Sequence, residues 1–224
     1  MAKQDRAIRT RHTILTAAAK VFEARGYQAA TISEILTEAG VTKGALYFHF
    51  PSKEHLAQGV LREQDQWLPV PDRACKTQQF VDTVLLHAYR LQTDPMVRAG
   101  VRLSLDQLAH GVDRSGPFLR WGEIVGELLE KAKAQGELLP HVTTAETADV
   151  TVGAFAGVQA MSQAVCEYQD LLARTSALLR HLLPSLTLPS VLAALDLTPS
   201  RGGVIFAELR PQPSEEERTP SQDG

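Results

Sequence analysis

Cysteine is nearly absent from this chain of 224 residues, which holds only Cys75 and Cys166. The two form neither a CxxC pair nor a zinc-binding spacing, so they read as core thiols rather than as a disulfide or redox pair. Long apolar runs are missing as well. None approaches the roughly 20 residues a membrane helix needs, so no membrane partner is expected. The opening stretch MAKQDRAIRTRHT is charged where a secretory signal would be apolar, and a cytoplasmic location is expected. Motifs for catalysis are lacking: there is no GxSxG elbow, HExxH, P-loop or GxGxxG. His12, His49, His55, His87, His110, His141 and His181 show no metal-ligand spacing. An enzyme acting on a small ester or lactone therefore has no visible machinery, and no metal or cofactor is expected. Strand patterns and internal repeats are scarce too.

Apolar residues make up 44% of the chain and aromatics only 6%, which suits a packed core built mostly from Ala and Leu. The net charge is −3, but it is unevenly spread. Residues 1–53 hold eight Lys and Arg (Lys3, Arg6, Arg9, Arg11, Lys20, Arg25, Lys43, Lys53) against four acids (Asp5, Glu23, Glu34, Glu38), a balance of +4 that leaves −7 for the remainder. A basic head on an acidic body suggests that only the head meets a polyanion. The negative total disfavours a non-specific nucleic-acid coat.

The spacing predicts an all-α chain. Ile14, Ala18, Val21 and Phe22 form one stripe of a helix over about Arg6 to Arg25, with Gly26 as its stop. Thr31 and Glu34 make a capping box that opens a second helix, ended by Gly40. Thr42 caps a very short third helix through Phe48 or His49. Pro51 and Ser52 break the chain before a fourth helix from Lys53 to about Trp67. Beyond the Leu68-Pro69-Val70-Pro71 break, longer helices are expected over Gln78 to Leu91, Pro95 to Ala109, Pro117 to Gly136, Thr144 to Tyr168 and Gln169 to Leu183. Val191 to Leu197 adds a last turn or two. From Pro211 the text PQPSEEERTPSQDG holds no apolar residues and is expected to be a disordered acidic tail.

The second and third helices, joined by a tight turn, read as a helix-turn-helix that carries a recognition helix into the major groove. Leu46 and Phe50, four apart, would anchor that helix. Thr42, Lys43, Tyr47 and His49 are then left facing out, and the small Gly44 and Ala45 allow close approach to DNA. The caps Thr31 and Thr42 put helix N-termini where phosphate oxygens are favoured. Lys43 could reach a guanine edge or a phosphate, and Lys53 is placed as a phosphate clamp. A small helical subdomain with ordinary polar residues would share the same spacing.

The segment VTKGALYFHFPSKEHL, the preceding RGYQAATISEI, and residues 8–67 as a whole closely resemble the signature of the TetR family. The resemblance implies an all-helical homodimer with an N-terminal three-helix DNA-binding head (residues 1–53) and a larger ligand-binding and dimerisation body (residues 54–210). By motif alignment it assigns DNA contact to Thr31, Ser33, Thr42, Lys43, Gly44, Tyr47, Phe48, His49 and Lys53. The stretches MAKQDRAIRTRHTIL, VRAGVRLSLDQ, GPFLRW and HLLPSLTLPSVLAALDL resemble more narrowly the γ-butyrolactone autoregulator receptors of antibiotic-producing filamentous bacteria. That resemblance implies repression of antibiotic-production genes at a palindromic operator, relieved by a butyrolactone or butenolide-type molecule. A TetR-type regulator sensing an antibiotic or other xenobiotic is the alternative.

A ligand with an alkyl arm and a compact polar ring calls for an apolar tunnel with few polar groups. Trp121 is the first candidate for its wall, against a plain packing role. Gln64, near the end of the fourth helix, could bond the ligand or simply face solvent. Phe80, Val84, Val101, Ser104, Leu105, Phe155, Val158, Gln159 and Ser162 are further wall candidates that could equally be core. Thr144 to Leu183, rich in small residues, is expected to pair with a second copy in a four-helix bundle.

Overall fold

A computed structural model describes residues 2–64, 70–106, 109 and 111–209. Among these the chain is helical, with a single isolated bridge between Leu138 and Thr187. The Trp67 end of the fourth helix and the tail from 211 lie outside the described residues.

Helix α1 (Ala2–Ala29) buries Ile14, Leu15, Ala18 and Phe22 on one face. Gly26 leaves the helical conformation at φ 75°, ψ 171°, where only glycine sits without strain, and one further turn follows it. The stop read from Gly26 is thus a break within the element. Helix α2 (Ile32–Ala39) begins on the predicted capping box: the Thr31 hydroxyl accepts from the Glu34 N–H at 3.2 Å, and the Thr31 N–H donates to the Glu34 carboxylate at 2.9 Å. Gly40 ends it at φ 63°. Helix α3 (Lys43–His49) is capped by Thr42, whose hydroxyl accepts from the Ala45 N–H. Helix α4 (Lys53–Gln64) lays Leu56, Ala57, Val60 and Leu61 into the same core as α1. Gly59 is there for contact: a methyl group on it would come within 2.7 Å of Leu15 Cδ2.

Helices α5 (Lys76–Thr93), α6 (Pro95–Leu105), α7 (Ser115–Ala134), α8 (Thr144–Cys166) and α9 (Leu171–Leu182) surround a second core led by Phe80, Leu85, Leu91, Leu129 and Leu171. Helix α6 divides its faces between the two cores. Ala99 and Leu103 pack with α1 and α4, while Val97 and Val101 pack with α5 and α7. Arg98 and Arg102 extend this joint by bonding the carboxylate and the backbone carbonyl of Glu23 on α1. Helices α8 and α9 are separated by Glu167 and Tyr168, both left-handed at φ 52° and 68°. The Gln92 amide donates to the Tyr168 carbonyl at 2.6 Å and holds that turn.

The predicted ending over Val191 to Leu197 is replaced by a short α10 (Pro189–Leu192) and an unforeseen α11 (Arg201–Glu208). Gly202 presses so close to α5 that an added methyl would come within 2.6 Å of the Leu85 carbonyl oxygen.

A second feature invisible in local sequence is the cap on α5. Glu137, buried after α7, accepts from the Lys76 N–H at 2.9 Å and from the Thr77 N–H and hydroxyl, each at 2.7 Å. Burial alone would raise its pKa, but these bonds, with the Cys75 thiol behind them, hold it below the ordinary carboxylate value. Its folded pKa is therefore lower than the roughly 4.3 of an unfolded glutamate. The stabilisation is complete above that value and disappears as pH falls through the folded pKa. Glu137→Gln should cost about 2 kcal/mol in urea unfolding at neutral pH. The gap between variant and wild type should close on acidification, and a gap that persists in acid would rule out the charge as its cause. Among the described residues no helix is long and apolar enough to cross a membrane.

Candidate nucleic-acid interface and internal cavity

Helix α3 is held from behind by Leu46 and Phe50, both buried, as their four-residue spacing predicts. Thr42, Lys43 and Gly44 are exposed, as are Thr31 and Ser33 at the start of α2. Tyr47 is 41% exposed and Phe48 81%, a fraction that an aromatic ring on a folded protein reaches only where nothing of its own chain covers it. The Lys43 ammonium lies 5.9 Å from the Tyr47 ring centroid, and the half-buried His49 meets Phe48 edge-on at 5.0 Å. Together these side chains form one face that is cationic, aromatic and hydroxyl-bearing, suited to phosphates and base edges.

Two of the predicted contact residues have other work in the structure. Lys53, read as a phosphate clamp, donates to the carbonyls of Gln28 at 3.2 Å and Ala30 at 2.9 Å, and sits 4.6 Å from the Tyr27 ring centroid. It ties the end of α1 to the start of α4 and has one of its three donors left for a phosphate. The Thr31 hydroxyl, besides capping α2, donates to Glu34 at 2.8 Å, so its own proton is engaged.

Between helices α4 to α8 lies a cavity of about 580 Å³ of empty space, counting its open mouth. Gln64 of α4, Val84 and His87 of α5, and Val101 and Ser104 of α6 form one side. On the other side α7 brings Pro117, Phe118, Trp121 and Val125, and α8 brings the stripe Thr151, Val152, Phe155, Ala156 and Gln159. Among the described residues, Lys, Arg, Asp and Glu are absent from this lining. The Trp121 ring packs 4.3 Å from His87, which in turn lies 5.4 Å from Phe155. Burial, helped by the charge of Arg90, pushes His87 down to about 3, so its ring is neutral at physiological pH and contributes no charge to the wall.

Of the wall residues predicted from sequence, Gln64, Val84, Val101, Ser104, Trp121, Phe155 and Gln159 are brought together here. The other four are not. Phe80 is fully buried in the core one turn before Val84. Leu105 lines a separate, more polar hollow with Tyr27, Arg102 and Asp106. Val158 packs against the core at the far edge of α8. Ser162 is buried and donates to the Asp170 carboxylate at 2.6 Å. His87, Phe118 and Thr151 were not foreseen as wall residues. His87 lies three residues after Val84, so the helical stripe through Val84 already pointed to it.

A profile of bacterial regulatory proteins of the tetR family matches residues 14–60, which span α2, α3 and most of α1 and α4. The A-factor receptor protein of Streptomyces griseus is 40% identical over 196 residues, covering 86% of this chain and 69% of that one. The solved structure of TylP, a TetR regulator from Streptomyces fradiae, superposes with a TM-score of 0.84 at 44% identity, covering 92% of this chain and all of its own. A solved γ-butyrolactone receptor (ArpA-like protein) gives a TM-score of 0.68 at 29% identity, covering 91% of this chain and 98% of its own. The chain is a transcriptional regulator that belongs to the TetR family, in the group that includes the A-factor receptor and the γ-butyrolactone receptors.

Proposed function

We propose that two copies of this chain form a repressor that grips a palindromic operator through α3 and releases it when a γ-butyrolactone or butenolide-type molecule fills the cavity. The observation that carries this reading is the shared wall. Gln64 and α6 line the cavity, and the same two helices, α4 and α6, bury Leu61, Ala99 and Leu103 in the core that seats α3. A molecule that spreads the cavity must therefore displace the frame of the DNA-facing helix. The apolar walls suit an alkyl arm, and the few polar groups suit a small ring. Secondary-metabolite genes, antibiotic genes among them, are the proposed targets, following the resemblance to the autoregulator receptors.

A dimer is supported by α8. Val150, Met161 and Val165 are each more than half exposed, and the bare glycines Gly153 and Gly157 lie between them at three- and four-residue steps. This continuous apolar stripe is one that a two-fold partner helix would cover. Such pairing sets the two α3 helices about 34–36 Å apart, one turn of duplex. The division into a head of residues 1–53 and a body of 54–210 enters the proposal as a functional one, because α4 packs with the head although it starts at Lys53.

Gel-shift titration tests the reading directly. DNA selected from a random pool should yield a two-fold site, and a saturating γ-butyrolactone should lower its affinity, with a coupling of about 1–3 kcal/mol. Unchanged affinity at saturation would exclude the mechanism, and release by an antibiotic but by no lactone would replace the effector class. In the same assay Lys43→Ala should weaken binding by about 1–3 kcal/mol per half-site if Lys43 reads a base. A uniform loss across sequences with a shallower salt dependence would mark it as a phosphate contact instead.

A further inference from the structure

The break in α1 opens one helical hydrogen bond, and α6 takes up both of its halves. In an unbroken helix the Tyr27 N–H would donate to the Glu23 carbonyl, four residues back. With Gly26 at φ 75°, ψ 171°, the Tyr27 N–H instead donates to the Asp106 carboxylate at 3.3 Å, and the Glu23 carbonyl accepts from the Arg102 guanidinium. Arg102 lies in the last turn of α6 and Asp106 is its C-cap, so one turn of helix grips the broken end by both its donor and its acceptor. On the far side of this clamp, buried Tyr27 and Ala30 belong to the same core as Leu46 and Phe50, which seat α3. On the near side α6 carries Val101 and Ser104 in the cavity wall. A polar hollow lined by Gly26, Tyr27, Arg102 and Asp106, among others, opens beside the clamp. Groups released from it therefore exchange their bonds for bonds to water, at a small net cost. Gly26 holds a conformation that suits glycine, and glycine leaves it as freely as it enters.

We propose, on the reading that the cavity is the effector site, that Arg102 and Asp106 are positioning residues that pass its occupancy to the DNA-facing helices by gripping or releasing the broken end of α1. Neither lines the cavity, and neither is on the α3 face. A ligand that shifts α6 draws the guanidinium and the carboxylate away together, because both ride on one turn. Tyr27 then loses the bond that orients its backbone, and the seat of α3 shifts with it. A protein whose clamp has been removed accordingly behaves, without effector, as the filled one does.

The test uses the full chain with Asp106→Ala and Arg102→Met, and with Asp106→Asn, which keeps an acceptor for the Tyr27 N–H. Without effector, the first two should bind the selected operator about tenfold more weakly, the loss of one hydrogen bond to a charged group, while Asp106→Asn should stay close to wild type. A saturating γ-butyrolactone with an alkyl arm, the probe throughout, should weaken wild-type operator binding by about 5–150-fold and the two unclamped variants by far less. Calorimetry without DNA should show those variants binding the lactone as tightly as wild type or more so, since losing the clamp favours the state the lactone selects. Hydrogen exchange at the Tyr27 amide should speed up when lactone is added to wild type, a measurement that needs no variant and so decides even if a substitution unfolds the chain. Undiminished operator affinity in both folded unclamped variants would overturn the proposal, as would full lactone coupling in them. Asp106→Asn as weak as Asp106→Ala would overturn the bond to Tyr27 as the cause, and so would an unchanged Tyr27 exchange rate in a protein that the lactone does release from DNA. Wild-type operator binding that no lactone weakens would instead remove the effector reading on which the proposal rests, a failure told apart because the variants would still differ from wild type without effector.

Discussion

Asp82→Ala should lower the unfolding free energy by about 3–5 kcal/mol, the range for leaving a buried ion-pair partner alone. Asp82 is fully buried in α5 and gathers donors from three residues. Arg73 Nε reaches it at 2.8 Å, Arg201 bonds both of its oxygens, and the Gln78 amide donates at 2.7 Å. Arg73 also reaches Glu208 at 2.7 Å, and Arg201 reaches Asp196 at 3.3 Å. Through Arg201 this carboxylate fastens α11 to α5, beside the Gln78 amide, which bonds the Asp196 backbone on both its N–H and its carbonyl. Without that carboxylate two guanidinium groups face each other with no charge between them. Their remaining partners, Glu208 and Asp196, soften the loss and place it toward the lower end of the range. Urea unfolding measures the change, and hydrogen exchange across residues 201–208 should show α11 opening well before the rest. A loss below about 1 kcal/mol with α11 still protected would show that apolar packing of Ile205 and Gly202 suffices to hold the helix.

That clasp also explains what the sequence could not announce. Helices α2 and α3 were legible because their signals are local: a capping box at Thr31 and Glu34, a left-handed Gly40, a second cap at Thr42. Helix α11 has no side-chain cap, and its reason for existing lies 119 residues away, in the bond from Arg201 to Asp82. The Glu137 cap on α5 is equally remote, 60 residues from Thr77. The cavity wall was legible where side-chain type and helical register coincided, as at Val84, Trp121 and Gln159. It was misread where register alone decides. Phe80 and Val84 are one turn apart on the same apolar helix, yet one fills the core and the other faces the lumen. Periodicity shows that a face is buried and does not say whether atoms or empty space lie against it. Lys53 has a second role that was hidden for a related reason. Its charge suits a phosphate, but the carbonyls it meets belong to the end of α1, which only the folded chain brings near.

Gly100→Ala should do what a helix-interior Gly→Ala change ordinarily does not, and destabilise the protein. In isolation the change favours a helix by about 1 kcal/mol. In this fold the Gln64 side chain lies directly across Gly100, so an added methyl would overlap its amide and come within 2.8 Å of its Cβ. Overpacking of this kind costs about 1–3 kcal/mol, enough to reverse the sign. The relief open to the chain is for Gln64 to leave its seat and swing into the cavity, which would occupy the space a ligand needs. Effector affinity should then drop along with stability. Replacing Gln64 by Ala removes the overlapping amide and leaves only the Cβ at 2.8 Å, so Gly100→Ala should cost less in that background than in the wild type. The four proteins form a cycle whose coupling should exceed about 0.5 kcal/mol, the level at which residues in contact depart from additivity. A coupling near zero would mean that Gln64 does not rest on α6, and the shared wall would lose its central contact. A substantial coupling would locate the place where a filled cavity pushes on α6, whose opposite face carries Ala99 and Leu103 into the core beneath α3 and whose Arg98 and Arg102 hold Glu23 of α1.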